Sequence, residues 1–353
     1  MTDPAQIRAA ASNFTPQPVT EIIPLAGGII NRTWRLCLKN GEELILQRLN
    51  CQVFKWPEQS CRNMALVGKL AKKLHKLSDR RWEIPSLRLT PAGEPWWFAP
   101  DGGLWRAMDF ITGTINIQQV DSPAMAADIG RGLALFHQLV ADISPHQLPA
   151  TIDHFHDTPH YIEELERGVA SRKELSPQQS RLVDFSRERS RRGAELASAL
   201  KQGLLTTAII HGDPKVENFL FDAASKRVCS LIDLDTVGPG LRLHDLGDCV
   251  RSCAARPAGP GALDFDLEIC KEIVAGYQGQ GPELLTGNDK KFLPRAIWLL
   301  PFELGVRFLS DQLSGAGYFR ESFPGQNLQQ AEEQFSLARA VEAKGGELAS
   351  LAN

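Results

Sequence analysis

The 353 residues, 43% of them hydrophobic, suffice for one large domain or two medium ones packed together. With 39 Lys and Arg against 42 Asp and Glu the net charge is only -3, too weak a field for nonspecific nucleic-acid binding, so a small-molecule partner fits better. The seven cysteines, an odd number without a Cys-x-x-Cys pair, read as reduced, and no segment approaches the roughly 18 uncharged apolar residues of a membrane span, so a cytoplasmic location without membrane contact is expected.

Three strand-like segments come first, near 20–25, 33–38 and 44–49, and Asn40-Gly41 between the last two predicts a tight hairpin. Residues 58–77 carry apolar side chains at 64, 66, 67, 70, 71, 74 and 77, the spacing of a helix with a basic outer face. Segments 84–89 and 95–98 alternate with turn residues, and 104–111 reads as a last strand running into Thr112-Gly113. There we place the boundary between an antiparallel N-terminal lobe, residues 1–110, and a mainly helical C-terminal lobe, residues 111–353. Helical patterns follow from about 121, over 176–203, and near 265–280, 290–312 and 328–350, and the basic run Arg187 to Arg192 is expected to coat a solvated helix face.

Two short apolar runs break the helical pattern and carry the chemistry. One leads into IIHGDPKVENFLFD at 209–222, the other into LIDLDTVGPG at 231–240. Phosphoryl transfer needs a group that orients or deprotonates the attacking hydroxyl, and oxygen ligands for a magnesium ion that bridges the nucleotide phosphates. His-x-Asp-x-x-x-x-Asn with a further aspartate on the next strand is the catalytic-loop spacing of protein kinases. It nominates Asp213 as base, Asn218 and Asp233 as metal ligands, and His211 as a support. Any one of these alone reads as a polar turn or helix cap; the ordered set points to chemistry.

With these residues in place, the chain resembles the aminoglycoside phosphotransferase and choline kinase group, in which HGD is the usual form of the loop. Within that group it is most similar to the N-acetylhexosamine 1-kinases, which are anomeric sugar kinases. The narrower similarity rests on TIDHFHDTPH at 151–160, DPKVENFLFD at 213–222, IDLDTVGPG at 232–240, DLGDCVR at 245–251 and ELGVRFLSDQLSGAGYF at 303–319. The resemblance implies a two-lobed, kinase-like α/β fold that acts as a monomer with ATP and Mg2+. It further implies transfer of the γ-phosphate to the C1 hydroxyl of an N-acetylated hexose. It carries acceptor binding onto Asp213, Arg307 and Tyr318, and nucleotide contacts onto Gly27, Gly28, Asn31, Gln47, Asp109 and Ile111. From the residues alone, Arg307 fits equally well an ion pair with Glu303 or Asp311, each four residues away.

The pattern also departs from protein kinases. Gln47 stands where the third strand would carry a lysine, and Ala65 where a helix glutamate would pair with it. The sugar kinases also carry glutamine there, so phosphate charge is expected to be met mainly by magnesium and by backbone amides of residues 26–31. Arg48 should face away from Gln47, because successive side chains of a strand alternate. His154, His156 and His160 invite a zinc reading, which we discount because no cysteine lies nearby and Thr158-Pro159 reads as a helix start. Asp245 and Asp248, near another helix start, are expected to brace the catalytic loop, and Asp235 to share a strand face with Asp233 as a second metal ligand or an orienting group. Two rivals remain: a kinase for another small alcohol such as an aminoglycoside or choline, and a nucleotide-binding pseudokinase.

Overall fold

A computed structural model describes residues 3–25, 31–51, 53–71 and 80–352. Gly27 and Gly28 lie outside the described residues, as do positions 74 and 77 of the expected helix. After a short helix α1 (Pro4–Ala11) come strands β1 (Val19–Leu25), β2 (Arg32–Leu38) and β3 (Glu43–Arg48), helix α2 (Pro57–Lys69), and strands β4 (Trp97–Phe98) and β5 (Leu104–Asp109). The five strands form one antiparallel sheet in the order β1-β2-β3-β5-β4. Alternation decides its inner face: Trp34, Leu36, Leu38, Leu44 and Leu46 point inward with Trp105 and Ala107, and Ile7, Ala10 and Ala11 of α1 close over them. Segment 84–89 forms no strand; it contributes an isolated bridge, Leu87 to Met108, beside a similar one from Glu83 to Ser230.

The rest is mainly helical. Strand β6 (Thr114–Asn116) leads to helices α3 (Pro123–Val140), α4 (Thr158–Ala170), α5 (Pro177–Gly193) and α6 (Glu195–Lys201). Next come β7 (Ala208–Ile210), β8 (Phe219–Asp222), β9 (Val228–Leu231), β10 (Gly238–Gly240) and α7 (Arg242–Ala254). A hairpin, β11 (Ala255–Gly259) and β12 (Ala262–Phe265), which the sequence pattern did not announce, precedes α8 (Leu267–Gln280), α9 (Gly287–Ser314) and α10 (Gln326–Ala343). The two strands that frame the catalytic motif do not pair with each other. Strand β7 pairs with β10, while β9 pairs with β8, which in turn pairs with β6.

Helices α3 and α8 cross in backbone contact. A Cβ at Gly130 would lie 2.0 Å from the Ile273 carbonyl oxygen, and one at Gly276 2.0 Å from that of Ala127. That approach brings His137 of α3 to Tyr277 of α8, the base of the bracing described below. The basic run of α5 meets expectation in part: Arg187 and Arg191 are exposed, whereas Arg189 and Arg192 lie over the rings of Phe185 and Trp298 and both reach Glu342, so their stems pack while their charges pair. The cap of α4 is Asp157, whose side chain accepts from the His160 amide, one residue before the expected start. Among the described residues no helix is long and apolar enough to cross a membrane.

Candidate active site

The end of β7 delivers His211, Gly212 and Asp213 into a turn fixed from below by Asp245. This carboxylate, fully buried on α7, accepts from the His211 amide at 2.7 Å, the Gly212 amide at 2.7 Å and His137 Nε2 at 2.8 Å. His137 Nδ1 in turn meets the Tyr277 hydroxyl at 2.7 Å. Burial alone would raise the Asp245 pKa, but its bonds to His137 and to the loop hold it below the usual carboxylate range. Two of these three bonds tie Asp245 to the turn and the third ties it to α3. Gly212 sits at φ 89°, and a Cβ there would come within 2.9 Å of Thr236 and 3.0 Å of the Phe155 ring. Only glycine fits both the backbone and the space.

His211 is buried; its Nε2 donates to the Ile232 carbonyl at 2.9 Å while Nδ1 accepts from the Asp213 amide at 3.2 Å. One donor and one acceptor define a neutral ring, in keeping with burial that lowers its pKa. Thus His211 links the catalytic turn to the strand end that carries Asp233. Asp213 Oδ2 takes a 2.6 Å bond from Lys215 and a 3.3 Å bond from Asn218 Nδ2, which also donates to the Asp213 carbonyl at 2.7 Å. Lys215 escaped sequence reasoning, although it stands two residues past the nominated base. Burial opposes its charge, but Asp213 and Asp233 together raise its pKa.

The carbonyl contact fixes the Asn218 amide with its nitrogen inward, leaving Oδ1 outward. Among the described residues no donor meets Asn218 Oδ1 or the Asp233 carboxylate. Asp233 is open to solvent and adopts a left-handed backbone at φ 65°, one step before the 3-10 turn Leu234–Thr236. Such a conformation is uncommon outside glycine, but aspartate tolerates it better than most residues. Although the residue is exposed, the protein packed around its carboxyl withdraws water from it, and this desolvation, then the neighbouring Asp235, raises its pKa to about 6, with Lys215 opposing. Three free hard oxygens in a locally acidic place suit a divalent cation. Among the described residues no three His, Cys, Asp or Glu side chains converge, so such an ion needs oxygens from a bound ligand to complete its shell. In the histidine segment 154–160, His154 stacks on His160 with ring centres 3.8 Å apart.

Asp235 is placed differently from expectation. Residues 234–236 form a turn and not a strand, so the two-residue alternation that would put Asp235 beside Asp233 does not operate. Its carboxylate takes a fork from Arg106, with Nη1 to Oδ1 at 2.5 Å and Nη2 to Oδ2 at 2.8 Å, together with bonds from Ser60 and from Asn31 Nδ2 at 2.7 Å. All its acceptor directions are used, which removes it as a second metal ligand. Gln47 Oε1 accepts from Arg106 while its Nε2 donates to the Thr33 hydroxyl, and Asn31 Oδ1 accepts from the Asn50 amide at 3.0 Å. Both side chains therefore serve this network. Arg48 faces the other way, over Trp105 and paired with Asp101. The Asp109 carboxylate is held by Arg88 at 2.5 Å, and Ile111 is buried with its amide free of hydrogen bonds among the described residues.

On the far side of the catalytic turn, His156 occupies φ 59° and spans two acceptors, Glu303 Oε1 at 2.8 Å and the Gly212 carbonyl at 3.1 Å. A ring with acceptors at both nitrogens is doubly protonated. Burial opposes both charges, yet Glu303 raises His156 and His156 holds Glu303 at about 2. Thr158 gives Glu303 a further bond at 2.5 Å, while Asp311 is occupied by the amides of Tyr318 and Phe319 and by Asn327. Neither carboxylate pairs with Arg307. Its guanidinium lies 5.0–5.4 Å from the ring centres of Phe155, Tyr161, Tyr318 and Phe319, with no hydrogen bond or ion pair among the described residues. Phe155 joins this ring to Gly212, so Arg307 and Tyr318 sit beside the catalytic turn. Asp248 lies one turn along α7 from Asp245 and binds Arg251 at 2.7 Å; among the described residues no hydrogen bond joins either side chain to the turn at 211–213, so the expected bracing role is carried by Asp245.

Residues 21–268 match the model of the Phosphotransferase enzyme family (APH). Among solved structures, an aminoglycoside phosphotransferase from Alicyclobacillus acidocaldarius is 17% identical, with a TM-score of 0.64 over 100% of this chain and 98% of that one. A choline/ethanolamine kinase family protein from Mesorhizobium loti is 18% identical, with a TM-score of 0.60 over 99% and 97%. Amicoumacin kinase, solved in complex with AMP-PNP, Ca2+ and Ami, is 13% identical, with a TM-score of 0.62 over 97% and 94%. At such identities these likenesses establish the protein-kinase-like α/β fold, and the family match over most of the chain adds the assignment: the protein belongs to the phosphotransferase enzyme family.

Proposed function

We propose that this member of the family transfers the γ-phosphate of ATP to the anomeric C1 hydroxyl of an N-acetylhexosamine. The observation that carries the reading is the placement of Asp213 on a turn fixed by Asp245, with the unengaged Asn218 Oδ1 and Asp233 carboxylate nearby. Asp213 has one oxygen engaged by Lys215 and Asn218, leaving the other to receive the hydroxyl proton. Asn218 and Asp233 would hold Mg2+, which when bound neutralises developing phosphate charge. Lys215 supplies a cation where the third strand has none. The free Ile111 amide offers a donor to the base of a nucleotide, where the sheet of the first lobe meets the helical second lobe at about residue 110. Asn31 and Gln47 then act by positioning and not by touching phosphate.

The acceptor end supports a neutral substrate. Arg307 presents unpaired donors, suited to hydroxyl and acetamide oxygens, and its charge repels an aminoglycoside or choline cation. Tyr318 stands beside it. The test is phosphorus NMR with ATP, Mg2+ and, separately, N-acetylglucosamine, N-acetylgalactosamine, glucose, kanamycin and choline. A sugar 1-phosphate signal coupled to the anomeric proton is the expected result. Phosphorylation of kanamycin or choline alone would overturn the acceptor assignment, and bound but intact ATP with every substrate would favour the pseudokinase.

A further inference from the structure

Arg106 is the least expected charge in the fold. It lies in the middle of β5, only 1% exposed, with apolar neighbours Trp105 and Ala107 on either side. A guanidinium has five N–H bonds. Here Nε goes to Gln47, Nη1 to Asp235 and Ser60, and Nη2 to Asp235 and Gln47, so none is left for a phosphate. The arginine therefore does not substitute for the missing lysine as a phosphate contact. What it grips is the turn that carries Asp233.

We propose that Arg106 is the positioning residue through which the N-terminal sheet sets the metal-binding turn, a role that rests on the kinase reading above. The tie has an end on each side. On the sheet side, Gln47 of β3 and Ser60 of α2 fix the guanidinium, and Gln47 is held in turn by Thr33 of β2. On the other side Asp235, two residues past Asp233, receives the fork, and Asn31 at the head of β2 adds a bond to the same carboxylate. The backbone carbonyl of Asp235 is anchored by the Thr151 hydroxyl at 2.6 Å. The free carboxylate of Asp233 thus keeps its place only while three segments of the sheet and α2 hold Asp235. In a protein kinase the lysine and helix glutamate join sheet to helix; here an arginine and an aspartate join the sheet to the metal turn directly.

The measurement is AMP-PNP affinity of the full chain by calorimetry, with and without Mg2+, for wild type, Arg106→Lys and Asp235→Asn. Folding is checked by the thermal midpoint. Wild type should bind more tightly with Mg2+, and both variants should lose about 10-fold or more of that gain while metal-free affinity holds. Arg106→Lys keeps the charge and loses the fork, so a role in charge balance alone would leave the gain intact. Ser60→Ala, which deletes one hydroxyl, keeps the measurement available if Arg106→Lys does not fold, and should lose a smaller part of the gain. Folded variants that retain the whole wild-type gain overturn the proposal. A wild type that binds no better with Mg2+ overturns the metal reading itself, and the proposal with it.

Discussion

Asp245→Asn tests the site from underneath. The native carboxylate accepts three hydrogen bonds in a fully buried place, two on Oδ2 and one on Oδ1. Asparagine can serve the two-donor side with its oxygen, but then turns an NH2 toward the Gly212 amide. Two bonds fall from charged to neutral, a loss of about 1 kcal/mol each, and the third is replaced by two unmet buried donors, the Gly212 N–H and the new NH2, at about 1–2 kcal/mol each, for a total of about 4–6 kcal/mol. At roughly 2.1 cal/mol/K per residue, 353 residues give an unfolding entropy near 0.74 kcal/mol/K, so the midpoint should fall by about 5–8 °C. Turnover should fall further than stability suggests, because a 1 Å shift of the catalytic turn costs about 100-fold. The assay is a thermal melt beside steady-state phosphorylation of the acceptor identified by NMR. A midpoint within about 1 °C of wild type, with unchanged turnover, would refute the bracing argument.

Asp213→Asn should cut turnover by about 100-fold to 10,000-fold while AMP-PNP affinity is unchanged; near-normal turnover would remove Asp213 from the mechanism. Asp233→Asn should raise the Mg2+ concentration for half-maximal nucleotide binding, and titration of Mg2+ at fixed AMP-PNP reads this directly. Arg307→Gln should lower kcat/KM for the acceptor about 10-fold to 100-fold through lost charged hydrogen bonds, with nucleotide affinity unaltered; equal loss for both ligands would make Arg307 a folding residue. The Glu303–His156 pair predicts a pH window. Glu303, lowered from 4.5 to about 2, contributes stability above pH 4.5 that is lost as pH falls toward 2. His156, raised from 6.5, contributes stability below pH 6.5 that is lost as pH climbs through its raised value. Melts of Glu303→Gln should therefore lie furthest below wild type between pH 4.5 and 6.5 and converge at both extremes; a deficit independent of pH would show that the pair is not ionised.

Local periodicity made much of this molecule legible. The first three strands, the hairpin at Asn40-Gly41 and the long helices all follow from alternation, turn chemistry or helical spacing, which act over a few residues. The motif residues were legible for the same reason: Asp213 and Asn218 are near in sequence and meet across one turn. Contacts between distant segments were not. Arg106 to Asp235 spans 129 residues and Glu303 to His156 spans 147, and no short-range pattern encodes either. One signal was available, since an arginine in the middle of a doubly buried strand needs partners for all its donors. The misreading of Asp235 as a second metal ligand came from extending strand alternation two residues past Asp233, although the strand already ends at Leu231 and Asp233 has a left-handed backbone.

The absence of the third-strand lysine has a physical resolution in this arrangement. A kinase must neutralise phosphate charge and must also hold its two halves in register, and the protein-kinase lysine contributes to both. In this fold the tasks separate. On the proposed reading register goes to Arg106, whose donors are all spent inside the protein, while Lys215, whose single hydrogen bond to Asp213 leaves two of its three N–H groups for a ligand, would join magnesium in neutralisation. A lysine at position 47 would bring a second cation against Arg106 and remove the acceptor that orients it, so Gln47→Lys should weaken the fold without restoring a phosphate contact. On that ground the glutamine is a required partner of the arginine, and its presence is no mark of a lost activity.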